Sequence, residues 1–198
     1  MLRSTRYAAF VVAAAWVLVA TTDAQARYRG DLNLFVGQAW LKRGDWAPVD
    51  QQPELGLMLN FGEERAPIHF VLDAFVSTDE VSRSEPTGSR RLKGTSHEFA
   101  IGVRKVWDQA ATRPHLGAGA TAIGLSQELD GPFGLVTNED RAYGAWVDLG
   151  VSWRLASHLN LGIEARYSYA LATLGSGSSG REVAAGGIHL GLLVGYGW

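Results

Sequence analysis

Seven charged residues take alternate positions with apolar residues in four segments of the chain. They are Asp73, Glu98, Arg104, Asp148, Arg154, Glu164 and Arg166. Charges that are buried in a protein interior are costly unless they are paired, so this pattern predicts an internal network of salt bridges. Asp148 and Arg166 are the first pair expected to interact. The alternative is a proton or ion path, or a catalytic carboxylate acting with His69 or His189.

Other residue types that carry chemistry are sparse or scattered. The five histidines lie at positions 69, 97, 115, 158 and 189, without the short spacing typical of metal ligands. The chain has no cysteine, which excludes disulfides and thiolate metal sites. Residues 117–122 match a G-x-G-x-x-A pattern, but no strand–helix–strand unit surrounds them. We therefore expect no metal, no cofactor and no catalytic residue.

The segments that hold the charged residues have the pattern of β-strands. Beyond residue 26, apolar and polar residues alternate with a period of two, between clusters of Gly, Pro, Asp and Ser. Eight candidate strands cover residues 31–41, 54–61, 67–77, 96–107, 114–125, 142–154, 159–171 and 187–198. Most of them have roughly the 9 to 11 residues that a tilted membrane-spanning strand needs.

The alternation also predicts which way the side chains point. The last strand has one continuous apolar face, formed by Ile188, Leu190, Leu192, Val194, Tyr196 and Trp198. The third, fourth, sixth and seventh strands share this pattern and carry the seven charges on the opposite face. For the first and fifth strands, the sequence does not decide which face is the apolar one. In the first, Leu32, Leu34 and Val36 compete with Phe35, Gly37, Ala39 and Leu41 for the apolar face.

The linkers between the candidate strands alternate strictly in length. Long polar linkers cover residues 42–53, 78–95, 126–141 and 172–186, and short ones cover 62–67, 108–113 and 155–158. Outer-membrane barrels have long extracellular loops and short periplasmic turns, whereas a soluble barrel or sandwich has no reason to separate them so completely. The predicted fold class is therefore all-β: an eight-stranded antiparallel transmembrane up-and-down β-barrel.

Aromatic residues support this prediction. The strands that run toward the short-linker end finish at Phe61, Trp107, Trp153 and Trp198. Aromatic rings at one level of a barrel are typical of an interfacial girdle at the lipid headgroups. We expect these four residues to form the periplasmic girdle.

The amino terminus has the pattern of an export signal. Arg3 and Arg6 precede an apolar run over residues 8–20, which Ala24-Gln25-Ala26 follows as a cleavage site. The run is too short to span a bilayer as a helix. We predict a signal peptide over residues 1–26 and a barrel domain over residues 27–198. The expected location is the bacterial outer membrane, reached by export through the periplasm.

With its alternating terminal strand ending in Gly195-Tyr196-Gly197-Trp198, the mature chain resembles small outer-membrane barrels of the OmpA transmembrane-domain and OmpX type. The resemblance implies that the outer-membrane assembly machinery reads the carboxyl-terminal strand. It also implies a lumen filled by side chains, because eight strands enclose little more room than that. The expected function is therefore structural, or a surface interaction through four extracellular loops, in a monomer without enzyme activity.

Two alternatives remain, a narrow channel and an enzyme that modifies lipid A. The resemblance to lipid A deacylases would require a His and a Ser on one strand face after an Arg-Tyr pair. Here Tyr169 and Leu171 occupy the catalytic places after Arg166-Tyr167. The enzyme is therefore not expected.

The expected partners are outer-membrane lipid and lipopolysaccharide. The second long linker carries Arg83, Arg90, Arg91 and Lys93, which either form a solvated hairpin tip or bind lipopolysaccharide phosphates. The near-neutral formal charge of −2 gives no indication of nucleic-acid binding.

Overall fold

The computed structural model describes residues 28–85, 88–109, 111–131, 134–155, 158–174 and 181–198. The predicted signal peptide lies outside the described residues. The strands are β1 (Tyr28–Leu41), β2 (Gln51–Glu63), β3 (Ile68–Glu85), β4 (Gly88–Val106), β5 (Thr112–Gly131), β6 (Gly134–Leu155), β7 (Leu159–Leu174), β8 (Arg181–Ala185) and β9 (Gly187–Gly197). A single helical turn, α1, covers Arg43–Trp46. Among the described residues, no helix is long and apolar enough to cross a membrane.

The strands close into an antiparallel ring of eight, which confirms the predicted fold class. β8 and β9 act together as the eighth strand, because both pair with β7 and are separated only by Gly186, whose φ of +85° favours glycine. β9 also pairs with β1 and closes the ring. When paired residues are followed from strand to strand around the barrel, the path that starts at Gly30 returns to β1 at Trp40. The strands are therefore staggered by ten residues over one full turn of the barrel. Such a stagger requires strands that are tilted from the barrel axis.

The period-two alternation places one face of each strand outside the barrel and the other in the lumen. The predicted apolar faces of the third, fourth, sixth, seventh and last strands are on the outside, as the exposure of Phe70, Ile101, Leu149, Ile163 and Leu192 illustrates. The two open cases are also resolved. Leu32, Leu34 and Val36 of β1 point outward, and Leu116 of β5 does the same.

Two of the predicted loops are strands. Residues 78–95 continue β3 and β4, which pair as far as Glu85 with Gly88. Residues 126–141 likewise continue β5 and β6, which pair as far as Gly131 with Gly134. The prediction of loops was wrong because backbone hydrogen bonds pair strands whatever their side chains are, and these segments lack the apolar face that marks a buried strand. We call the resulting four-stranded extension, residues 78–85, 88–95, 126–131 and 134–141, the rim sheet.

The first long linker folds into the mouth of the barrel. Trp46 of α1 and Val49 are almost fully buried against Leu41, Ile123, Leu125, Ala142, Ala170, Ala172, Val183 and Ala185. We call residues 42–50 the cap. It places an apolar layer at the long-linker end of the lumen.

Candidate functional site: the lumen

Two arginines organise the middle of the lumen. Arg104 forms ion pairs with Asp148, and with Asp73 and Glu164 at 3.5 Å each. Arg166 binds Asp73 at 2.9 Å and Glu98 at 2.8 Å. Its guanidinium also lies over the rings of Phe75 and Trp146, 4.8 and 4.3 Å from their centroids. Both arginines are fully buried, so each carries its charge in a setting where pairing is required.

The pairing differs from the one that sequence suggested first. Asp148 and Arg166 are direct neighbours in the β6–β7 register. Asp148 nevertheless forms its ion pair with Arg104, and Arg166 reaches across the lumen to Asp73 and Glu98. Arg154 belongs elsewhere, at the short-linker end, where it binds Asp31 at 2.5 Å.

A serine, a histidine and two glutamates form a second group at the same depth. His189 Nε2 lies 2.9 Å from Ser168 Oγ, and His189 Nδ1 lies 2.9 Å from the carboxylate of Glu54. Ser168 Oγ also donates a hydrogen bond to Glu98 Oε2 at 2.8 Å. The order serine, histidine, carboxylate is the one used by serine hydrolases. Here all four side chains are buried.

Carboxylates outnumber arginines in this part of the lumen. Five acids, Glu54, Asp73, Glu98, Asp148 and Glu164, face Arg104 and Arg166 together with two histidines. The second histidine, His115, lies 2.6 Å from Glu164. Among the described residues, three buried atoms lack a hydrogen-bond partner: Asp73 Oδ1, Glu164 Oε1 and Arg166 Nε.

The short-linker end of the lumen is closed by a separate cluster. Arg113 binds both carboxylate oxygens of Asp31, at 2.8 and 2.9 Å, and reaches Asp108 at 2.5 Å. Asn160 donates to Asp31 at 2.8 Å. This cluster ties the beginning of β1 to β5 and β7.

At the opposite end, polar contacts hold the cap over its apolar layer. Trp46 Nε1 donates to the carbonyl of Ala184 at 2.8 Å. The carboxylate of Asp45 accepts from the Ala184 N–H at 3.1 Å and from Arg181 at 2.6 Å. Burial opposes ionisation of Asp45, but these hydrogen bonds and nearby Lys42 outweigh it, so the pKa of Asp45 lies below its usual value.

Sequence reasoning missed several of these lumen residues. Glu54 was detectable, because Leu55, Leu57 and Leu59 alternate with it and define the outer face of β2. Asp31 belonged to the strand whose facing was open, and Arg113 lay in a predicted short linker. Ser168 lies between Tyr167 and Tyr169, so it was not one of the positions compared with the deacylase pattern.

The four predicted girdle residues lie at the short-linker end. Trp107, Trp153 and Trp198 are 38 to 46% exposed on the outer surface, and Phe61 is partly exposed. Their place at lipid headgroups stays a prediction. Among the described residues, no group of His, Asp and Glu side chains could hold a metal ion.

This fold is that of the small outer-membrane β-barrels, and the resemblance to the OmpA and OmpX type is confirmed at that level. The chain is similar to Ail of Yersinia pestis in complex with the heparin analogue sucrose octasulfate (TM-score 0.58, 12% identity, 87% of this chain and 99% of that one). It is similar to the N-terminal barrel domain of Pseudomonas aeruginosa OprF (0.53, 10%, 88% and 100%) and to Neisserial surface protein A (0.50, 13%, 86% and 94%). No protein-family profile and no curated protein sequence matches the chain. At these identities the likeness shows the fold alone.

Proposed function

We propose that this chain is a protein of the bacterial outer membrane that acts at the cell surface through its rim sheet. The observation that carries the proposal is the sheet's two free edges. Pairing of β3 with β2 ends at Ser77, and pairing of β6 with β7 ends at Gly144, so among the described residues both outer strands of the rim sheet continue without a partner strand. A free edge offers a row of backbone N–H and C=O groups to which a partner can add a strand.

Exposed apolar side chains on the same sheet support this proposal. Leu135 and Val136, near the tip of the β5–β6 hairpin, are 60% and 54% exposed. On the barrel wall, exposed apolar residues would face lipid. On a sheet that rises above the wall they would face water unless a partner covers them.

The proposal includes the remaining expectations from sequence. The chain is exported through the periplasm, its carboxyl-terminal strand is read by the assembly machinery, and the barrel is a monomer in contact with outer-membrane lipid and lipopolysaccharide. The lumen holds a structural charge network and has no catalytic role. In the second linker, Arg91 already pairs with Glu80 and Asp130, which leaves less of its charge for lipopolysaccharide phosphates.

Labelling on intact cells tests the orientation that this function requires. Because the chain has no cysteine, Leu135→Cys and Arg65→Cys each create a unique thiol, one in the rim sheet and one in a turn at the opposite end. A membrane-impermeant maleimide should label Leu135→Cys on intact cells and Arg65→Cys only after the outer membrane is permeabilised. Labelling of Arg65→Cys on intact cells, or of neither variant, would contradict the proposal.

A hydrolase is the second candidate, favoured by the Ser168–His189–Glu54 arrangement. We place it second because the Ser168 hydroxyl is buried and is bound to Glu98 as well as facing His189. A substrate would have to displace that contact. A fluorophosphonate probe should therefore leave the folded protein unlabelled, and labelling that disappears in Ser168→Ala would place the hydrolase first.

A further inference from the structure

A histidine and an arginine flank one glycine on the outer surface of the barrel, just below the rim sheet. His97 of β4 and Arg141 of β6 both pair with Gly124 of β5, so they lie on either side of it at the same register. Both are exposed and, among the described residues, neither has an ion pair or side-chain hydrogen bond. Adjacent strands are about 4.8 Å apart, so the backbones of β4 and β6 are separated by about two such spacings, and the two side chains can converge on one small anion only above Gly124.

The space between these two side chains is open. A Cβ atom built on Gly124 would have a single neighbour within 4 Å, the carbonyl oxygen of His97 at 4.0 Å. We call His97, Gly124 and Arg141 the cationic notch. The Arg141 guanidinium, the His97 imidazole and the gap between them fit a phosphate, which forms strong charge-assisted hydrogen bonds with a guanidinium.

The apolar surface below the notch sets its depth in a membrane. On β6, the outward positions from Trp153 to Tyr143 carry no charge, and Arg141 is the next outward residue. The segment 143–153 has the length of about 9 to 11 residues that a tilted strand needs to cross the hydrocarbon core. On β4, the outward residues Val103, Ile101 and Phe99 form a shorter apolar stretch, which Lys105 bounds at one end and His97 at the other. The notch therefore lies where the outer-leaflet headgroups begin.

We propose that the cationic notch binds a phosphate of a lipid A-type glycolipid in the outer leaflet, with an acyl chain lying along the barrel wall below. This inference rests on the proposed outer-membrane location. Directly below Gly124, β5 presents the small side chain of Ala122 between Phe99 and Tyr143, which leaves room for the chain. A bilayer phospholipid shares the phosphate and the acyl chains, but an outer leaflet of phosphorylated glycolipid presents its phosphates at this rim.

Binding to the purified, detergent-solubilised full chain tests the site. The probes are bisphosphorylated lipid A, the same lipid A without phosphates, and phosphatidylglycerol, measured by native mass spectrometry. The double variant His97→Gln/Arg141→Gln should weaken binding of bisphosphorylated lipid A by about tenfold or more, as expected for losing hydrogen bonds to a charged group. The lipid without phosphates should bind wild type as weakly as the intact lipid binds the double variant.

Two further variants keep the test decisive. Gly124→Leu fills the notch without changing charge and should weaken binding as much as the double variant does. Arg65→Gln removes one charge at the opposite end and should bind lipid A like wild type. Wild-type affinity for lipid A in both notch variants would overturn the proposal. Phosphatidylglycerol that binds wild type as tightly as lipid A does, and that loses affinity in the same variants, would also overturn it. Failure of the outer-membrane location itself would appear separately, as a chain that stays soluble without detergent.

Discussion

Arg166 binds two carboxylates from different strands and lies between two aromatic rings. Replacing it with Met keeps most of the volume but leaves Asp73 and Glu98 without their shared cation. Breaking a buried pair in this way costs about 3 to 5 kcal/mol. We expect the free energy of unfolding of Arg166→Met, measured by urea titration in lipid vesicles, to fall by about that amount.

The matched control for Arg166 is Arg91 of the rim sheet, which also pairs with two carboxylates. Its side chain is half exposed, so water screens both interactions. Exposed ion pairs contribute about 0 to 1 kcal/mol. Equal losses in the free energy of unfolding of Arg91→Met and Arg166→Met would show that water screens charges in the lumen as much as at the surface. The buried network would then not be a major source of stability.

At single positions, the sequence predicted which face a side chain occupies better than it predicted the partner. Alternation placed Asp73, Glu98 and Glu164 on the inner face because every second residue of a strand points the same way. Partners across the lumen depend on the ten-residue stagger and on side-chain reach. Arg166 therefore contacts residues of β3 and β4, whereas the sequence had suggested a neighbour on β6.

The carboxylate of Asp45 accepts two of the polar contacts that hold the cap. The pKa of Asp45 is lowered in the folded protein, so its contribution to stability is present at neutral pH and is lost as pH falls through that lowered value. A spin label at Gly44→Cys reports on the cap, because a Cβ there meets nothing within 4 Å. We expect the label to be immobile at pH 7 and mobile in strong acid.

The variant Asp45→Asn separates the effect of protonating this carboxylate from the other effects of acid on the protein. It lacks the charge at every pH, so the label at position 44 should be mobile already at pH 7. Glu63→Gln, an exposed acid at the far end of β2, serves as the control and should leave the spectrum and its pH dependence unchanged. A label that stays immobile in Asp45→Asn would show that Trp46 alone holds the cap.

Sequence patterns located the elements of the barrel wall but not those above it. The wall strands have a continuous apolar outer face, whereas the rim sheet carries only scattered apolar residues, and backbone pairing defines it. The cap was missed for a related reason. Trp46 and Val49 are isolated apolar residues in a polar linker, and only the folded barrel provides the apolar layer that they cover.

For the whole molecule, the assignment of outer and inner faces predicts where a new charge can be tolerated. Leu149 and Ile163 are 61% and 50% exposed on the barrel wall. An arginine at mid-depth on a lipid-facing position costs about 2 to 4 kcal/mol. Leu149→Arg and Ile163→Arg should therefore reduce the folded fraction, read from the mobility of unheated samples on gels.

The control for these substitutions is Ser152→Asn, a polar change on the inner face. Gly162→Asn, although also on the inner face, is a poorer choice, because a Cβ there would lie 2.8 Å from the carbonyl oxygen of Val151. Ser152→Asn should fold like wild type. Similar folding of Ser152→Asn and Leu149→Arg would mean that the outer surface does not face lipid.

Three obstacles in series lie along the lumen, and together they predict that the barrel does not conduct ions. The cap covers an apolar layer at one end, the Arg104 and Arg166 network fills the middle, and the Asp31–Arg113 cluster closes the other end. Trp46→Ala thins only the first obstacle, so both the wild type and this variant should give silent planar bilayers. Before recording, the shift in gel mobility on heating must show that each sample is folded. Stable conductance steps from the folded wild type would reject the closed lumen and make a narrow channel the better account of the protein. Steps from Trp46→Ala alone would locate the closure at the cap and would show that the charged middle admits water and ions.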